Sequence, residues 1–141
     1  MAKPSVTSVE IPGVRGFNAE SVSVGIMTPS STQPGGSGLA LAGIPEIDVE
    51  VVVNAHDTDN LPFASLLELI QLAQKTTADQ IGAIKITFWR DESHLDAICT
   101  CSFSGWINHF QLHSGGDGNH TVVLHLVPSW AETRPALSVS N

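Results

Sequence analysis

The sequence predicts a mainly β fold with one short amphipathic helix, arranged as a small barrel in a single domain. Between residues 44 and 127, runs of alternating apolar and polar residues surround one segment with helical spacing. The chain of 141 residues suits one domain that buries most of its unfolded surface. No catalytic constellation interrupts this order of elements. We expect a protein with this fold to act through a surface that contacts other proteins rather than to catalyse a reaction.

Composition narrows the classes of partner. The chain has 6 Lys and Arg residues against 14 Asp and Glu residues, which gives a net charge of -8. This charge disfavours nonspecific attraction to nucleic-acid phosphates and to anionic membranes. The first residues lack the apolar core of a signal peptide, and no window approaches the ~18 apolar residues of a membrane span. We therefore expect synthesis in the cytoplasm without a signal peptide.

The first part of the chain predicts two strands and a long loop. Residues 5–11 and 20–27 are rich in β-branched residues and form a plausible opening pair. Residues 12–16 contain Pro and Gly and are predicted to be a turn or loop. Residues 28–43 are dominated by Pro, Gly, Ser and Thr, which indicates a long loop that is either functional or a flexible linker. Leu39 and Leu41 give this loop apolar surface to bury.

The next segments predict the clearest strand and the helix. Residues 47–54 alternate between Ile or Val and polar side chains, as in a strand with one buried face. A helix follows from about 61 to 75, with Pro62 in its first turn and N-cap candidates at residues 57–60. Its predicted apolar stripe consists of Phe63, Leu66, Leu67, Ile70 and Ala73.

The remainder predicts a set of antiparallel strands. Residues 84–89 and 95–103 are predicted to be the arms of a hairpin with a turn at 90–93, and Gly105 allows a bend or bulge into a continuation over 106–112. After a turn at 114–119, the strand over 122–127 is apolar on both faces and ends at Pro128. Such a strand lies either in a sheet covered on both sides or in a sheet whose outer face meets another subunit. The domain is expected to span 1–130, followed by a polar tail over 131–141.

The histidines and cysteines are not expected to hold a metal ion. His109 and His113 share a strand face but lie ~13 Å apart, which is too far to share zinc. His120 or His125 could meet one of them across the hairpin, but a site would also need a third ligand and second-shell support. Cys99 and Cys101 point to one face of a strand and are read as reduced core residues. No cofactor is predicted.

No enzyme signature is present. The sequence lacks a nucleophile elbow, a phosphate loop and a dinucleotide fingerprint. The adjacent carboxylates Asp91 and Glu92 fall in a predicted exposed turn, where nothing would raise a pKa. Asp57 and Asp59 resemble the start of a calcium loop, but the Gly and distal Glu that complete such a loop are missing. We therefore expect a protein that is not an enzyme.

The order of these elements resembles the Hcp family of type VI secretion tube proteins, which are related in fold to phage tail-tube proteins. Residues 9–16 look like the family's opening "I-x-G-I-x-G" phrase, and residues 20–25 match the strand after it. Residues 47–54 and the helix start at Asp59 resemble the family's central strand and its "D-x-A-S-P-x-L" helix start, although Asn60-Leu61-Pro62 departs from that pattern. Residues 82–90 resemble the strand that follows the helix.

The resemblance implies a closed antiparallel β-barrel of two packed sheets with one flanking helix. It also implies assembly into hexameric rings, whose barrels join edge to edge and which stack as the inner tube of a contractile injection apparatus. Sheath, baseplate or spike and effector proteins would be its partners, and the subunit could leave the cell with the tube. The loop over 28–43 would contact the adjacent ring. The candidate stacking and oligomer-interface residues are Gln33, Leu39, Leu41, Trp89, Trp106 and Trp130.

Three other functions stay open at this stage. The chain could be a phage or tailocin tail-tube protein, with DNA as its cargo. It could instead be a small β-barrel that binds a ligand, or a metal ion through its C-terminal histidines. A small hydrolase would need a pocket that gathers His109 or His125 with an acid, which the sequence does not require.

Overall fold

A computed structural model describes residues 5–27, 46–75, 77–116, 118–129 and 137–141. The described elements are, in chain order, β1 Thr7–Ile11, β2 Val14–Asn18, β3 Ser21–Met27, β4 Glu46–Asn54, α1 Phe63–Ala73, α2 Thr77–Gln80, β5 Gly82–Trp89, β6 Ala97–Ser114, β7 His120–Pro128 and β8 Ser138–Ser140. The mainly β fold with one substantial helix is confirmed. The helix is two residues shorter at each end than the predicted 61–75.

All eight strands belong to one antiparallel sheet. Its order is β2-β1-β5-β6-β7-β4-β3, and β8 also pairs with β6. The expected closed barrel of two packed sheets is therefore not what the structure has. β6 is 18 residues long, pairs with β5 along its first half and with β7 along its second, and so joins what would have been two sheets into one. In the described part of the chain, no ladder joins β2 to β3.

Gly105 is the residue at which β6 pairs with β5 and β7 at the same time. It pairs with Gly82 of β5 on one side and with Pro128 of β7 on the other. A Cβ atom at this position would lie 2.3 Å from the carbonyl oxygen of Val127, which no side chain tolerates. The predicted bend or bulge does not lie at Gly105, because β6 continues through this residue as one strand. The register shift lies two residues further on, between Ile107 and His109.

The core lies on one face of the curled sheet. Alternate residues of β1, β4, β5, β6 and β7 contribute to a single cluster, which α1 covers with Leu69 and Leu72. The most completely buried side chains include Val9, Ile84, Ile86, Val49, Val51, Val53, Val122, Leu124 and Leu126. The inward positions of β7 therefore pack in the core, while its Val123, His125 and Val127 lie on the outer face.

Residues 14–16 are strand rather than the predicted turn or loop. The chain reverses within Pro12 and Gly13, and Val14 already pairs with Ile11. Gly13 has φ of +82°, and Pro followed by such a Gly suits a type II turn. Because this turn needs only two residues, Val14, Arg15 and Gly16 are free to join β2.

The helix matches the predicted face only in part and has a different start. Leu66 and Ala73 of the predicted stripe pack against the core. Ser65, Leu69 and Leu72 are its buried residues, whereas Phe63 is 71% exposed and Leu67 is 43% exposed. Pro62 is the N-cap residue, and no side chain caps the helix. Asp57 instead accepts hydrogen bonds from the backbone and side-chain nitrogens of Asn60, so it organises the turn before the helix.

Candidate assembly surface

The edge of β3 is exposed and has no partner strand in the described ranges. There β3 pairs with β4 alone, through seven consecutive partners without a bulge. Its sequence, Ser-Val-Ser-Val-Gly-Ile-Met, has no charged residue and no proline. Ile26 and Met27 are 64% and 67% exposed. Soluble proteins usually protect such an edge with a charge, a proline or a bulge, so β3 has the character of a strand that pairs with a partner.

The other end of the sheet is protected by the helix. Arg15 of β2 donates its backbone N–H to Glu68 Oε1 at 3.3 Å, and its carbonyl oxygen accepts the Ser65 hydroxyl at 3.0 Å. Ser65 is fully buried. Side chains of α1 thus take the place that a neighbouring strand would occupy at Arg15. The two terminal strands of the sheet are therefore not equivalent, because this protection has no counterpart among the described contacts of β3.

The second half of β6 has an unpaired edge of its own. Gly105 is the last β6 residue that pairs with β5, and β5 lies on the side of β6 opposite β7. On that side, the ladder of backbone hydrogen bonds ends at Gln80. The side-chain Oε1 of Gln80 accepts the Ile107 N–H at 3.1 Å, in place of a backbone carbonyl of a strand. Residues 108–114 continue beyond it, with no strand paired on this side in the described ranges. Their sequence, Asn-His-Phe-Gln-Leu-His-Ser, contains no Lys, Arg, Asp or Glu.

The outer face of the half-sheet β3-β4-β7-β6 is polar at its centre. Glu50, His125 and His109 stand directly opposite one another on β4, β7 and β6. His125 Nδ1 lies 3.1 and 3.2 Å from the two carboxylate oxygens of Asp48, and its Nε2 lies 3.6 Å from Glu50 Oε2. The rings of His109 and His125 meet edge to face, with centroids 5.5 Å apart. This row was not recognised from the sequence, because only the strand register brings β4 beside β7.

The remaining histidines and the cysteines are dispersed. His56 and His120 stack with centroids 4.6 Å apart, and His56 Nε2 also contacts the carbonyl of Gly118. Cys99 and Cys101 are free thiols on the core side of β6, as expected for reduced packing residues. Burial raises the pKa of the Cys101 thiol, and the neighbouring Cys99 adds to this effect. In the described ranges, no three His, Cys, Asp or Glu side chains already surround a common metal position.

Two of the six predicted interface residues lie in the described structure. Trp89 is half-buried, stacks on His94 at 5.0 Å and donates its indole N–H to the Ser8 hydroxyl, so its ring is held within the subunit. Trp106 is half-buried on the outer face opposite Val127. Gln33, Leu39, Leu41 and Trp130, together with the predicted loop over 28–43, lie outside the described residues.

Comparison with known proteins does not assign a function, so the function has to be argued from the geometry of the structure. No protein-family model matches the chain, and no curated protein matches it either. Among the helices in the described ranges, none has the length and apolar character needed to cross a bilayer. The two edges that have no partner strand among the described residues, and the polar face between them, are thus the features from which a function can be argued.

Proposed function

We propose that this protein is a structural subunit that assembles edge to edge into hexameric rings, which stack as the inner tube of a contractile injection apparatus. The observation that carries the proposal is the β3 edge, which no described strand covers, which is uncharged over seven residues and which ends in exposed Ile26 and Met27. The ring of six and its stacking come from the resemblance to Hcp proteins. The proposal includes the tubes of secretion systems and those of phage tails, because both are built from subunits of this kind.

The edge of β3 fits the free edge of β6 in a second copy. Both edges are seven residues long and neither carries a charged side chain, so no like-charge repulsion opposes their pairing. The core-side residues at both edges are incompletely covered: Ile26 is 64% exposed on β3 and Leu112 is 52% exposed on β6. Pairing of the two edges would extend the sheet and bury these side chains.

Pairing between two different edges leads naturally to a ring. β3 and the second half of β6 are the two borders of the four-stranded half-sheet β3-β4-β7-β6. A contact from one border to the opposite border of the next copy is heterologous, and such contacts close into rings when the rotation per subunit divides a full turn. Six copies would give a continuous sheet of 24 strands, wide enough to enclose a channel.

The polar outer face would line that channel. The core, which residues of β1, β2, β5 and α1 share with β4 and β7, lies on the other face of the half-sheet and would then face outward. Asp48, Glu50, His109 and His125 would then repeat six times around the lumen. Acidic groups disfavour tight binding of polyanions and so suit passage of a cargo. Effector proteins are the proposed cargo in a secretion tube, and DNA in a phage tail.

The proposal is tested with two variants that each damage one edge. Ile26→Lys places a charge on β3, and Leu112→Lys places one on the free edge of β6. Each variant alone should fail to form rings, because every ring contact needs both edges. An equimolar mixture should form a heterodimer and nothing larger, since the intact β3 edge of one variant can still pair with the intact β6 edge of the other. Native mass spectrometry separates these species.

Leu95→Lys is the matched control. Leu95 is 87% exposed in the turn between β5 and β6, away from both edges, so this variant should assemble like the unmodified chain. Circular dichroism establishes that all three variants are folded. Homodimers of Leu112→Lys would indicate pairing of β3 with β3, and rings formed by either edge variant would show that these edges do not carry assembly. Either result would overturn the proposed contact.

A further inference from the structure

The row Glu50, His125 and His109 contains two hydrogen-bond acceptors that face each other. Asp48 lies 3.1 Å from His125 Nδ1, and a carboxylate can only accept, so the proton of a neutral His125 ring belongs on Nδ1. His125 Nε2 then carries a lone pair, and the carboxylate of Glu50 lies 3.6 Å from it. Two acceptors at this distance repel unless a cation or a proton lies between them.

The distance between these two atoms suits a shared metal ion. Zinc binds imidazole nitrogen and carboxylate oxygen at about 2.0–2.1 Å, so two adjacent ligands of a tetrahedral ion lie roughly 3.3 Å apart. The 3.6 Å between His125 Nε2 and Glu50 Oε2 is close to this separation. Two ligand atoms are therefore nearly in place before any metal arrives.

The neighbouring strand supplies a third ligand of the right kind. His109 lies directly opposite His125 in the register between β6 and β7, and the ring centroids are 5.5 Å apart. His109 is exposed, and its Nε2 makes a long contact of 3.4 Å with Gln111 Oε1. The proposed site requires this exposed side chain to rotate away from Gln111, so that a ring nitrogen turns toward the position between His125 and Glu50.

A carboxylate that would orient one of these ligands is already in place. Asp48 bonds to the ring nitrogen of His125 that points away from the proposed metal position, which is how carboxylates orient metal-binding histidines. Asp48 and Glu50 also contribute two negative charges, which balance a divalent cation. Two imidazoles with one carboxylate favour a transition metal over Mg²⁺ or Ca²⁺.

We propose that Glu50, His125 and His109 bind a divalent transition-metal ion of the Zn²⁺ class on the outer face of the sheet, with Asp48 as the residue that positions His125. The three ligands come from three adjacent strands of one chain. The site therefore does not depend on the proposed assembly into rings and can fail or hold independently of it.

Isothermal titration of the full chain with Zn²⁺ tests this site. We expect one ion per chain, lost in His125→Ala and weakened at least tenfold in His109→Ala and in the near-isosteric Glu50→Gln. Asp48→Asn should weaken binding by about 10- to 100-fold through the orientation of His125. Co²⁺ absorption should show nitrogen and oxygen ligands without a thiolate charge-transfer band, which excludes Cys99 and Cys101 as the ligands.

His113→Ala is the matched control, because His113 is exposed on the same face of the same strand, four residues from His109. It should bind Zn²⁺ within about twofold of the unmodified chain. A titration that shows no binding of Zn²⁺ at one ion per chain would overturn the proposal. An equal loss of affinity in His113→Ala and His109→Ala would overturn it as well.

Discussion

Replacement of Gly105 by Ala should destabilise the fold more than any other single added methyl group on a described glycine. The new Cβ would lie 2.3 Å from the Val127 carbonyl oxygen, where ordinary contacts begin at about 3.4 Å. A backbone carbonyl cannot rotate away as a side chain can, so β6 and β7 must separate by about 1 Å at this point. That movement strains the ladder at the place where β6 passes from β5 to β7.

The expected cost follows from two contributions. Overpacking typically costs about 1–3 kcal/mol, and a weakened backbone hydrogen bond adds roughly 1 kcal/mol. We expect a loss of about 3 kcal/mol in the free energy of unfolding. For a chain of 141 residues, this corresponds to a fall in the melting temperature of roughly 10 °C.

Thermal and urea unfolding, followed by circular dichroism, measure this loss. Gly116→Ala is the control, since a Cβ there would have no neighbour within 4 Å. The control should change stability by less than about 0.5 kcal/mol. If both variants melt at the same temperature as the unmodified chain, the passage of β6 between β5 and β7 does not depend on Gly105 and the reasoning is refuted.

Three further predictions follow from the helix, the thiols and the long loop. Leu69→Ala should cost roughly 2–5 kcal/mol in urea unfolding and Leu67→Ala less than about 0.5 kcal/mol; similar losses would contradict the observed helix face. Burial raises the pKa of the Cys101 thiol, so iodoacetamide at mildly alkaline pH should modify Cys99 first, as measured by peptide mass spectrometry. The free energy of unfolding should also fall as the pH rises above the ordinary thiol range, because the Cys101 thiol ionises at lower pH in the unfolded chain than in the folded one. Deletion of residues 30–40 should leave folded rings but no long tubes in electron micrographs, and unchanged tube length would rule out a stacking role for this segment.

The sequence predicted those elements in which local pattern and tertiary environment agree. The alternation over 47–54 and 122–127 located β4 and β7, because their inward residues meet a core. The helix face was foreseen only in part. Leu66 and Ala73 pack against the core as predicted, but Ser65 is fully buried through its bond to the Arg15 carbonyl, while Phe63 remains exposed. A polar residue that protects a strand edge cannot be recognised from apolar periodicity.

The candidate site was harder to predict because it depends on register. The uncharged run of β3 was visible in the sequence, but its position at the end of the sheet follows only from the strand order. The tryptophans were chosen because that residue type is common at interfaces, and their role there stays a prediction. Trp89 contacts His94 and Ser8 of its own subunit. β8 was also missed, because three residues of a polar tail become a strand only by pairing with β6.

The most direct test of the central claim is the mass of the purified protein over a wide concentration range, measured by sedimentation velocity and native mass spectrometry. Six chains of 14.9 kDa should give a closed species of about 89 kDa, visible as rings in negative-stain micrographs. A species of 14.9 kDa at every concentration would contradict an assembly subunit and would favour the small ligand-binding fold.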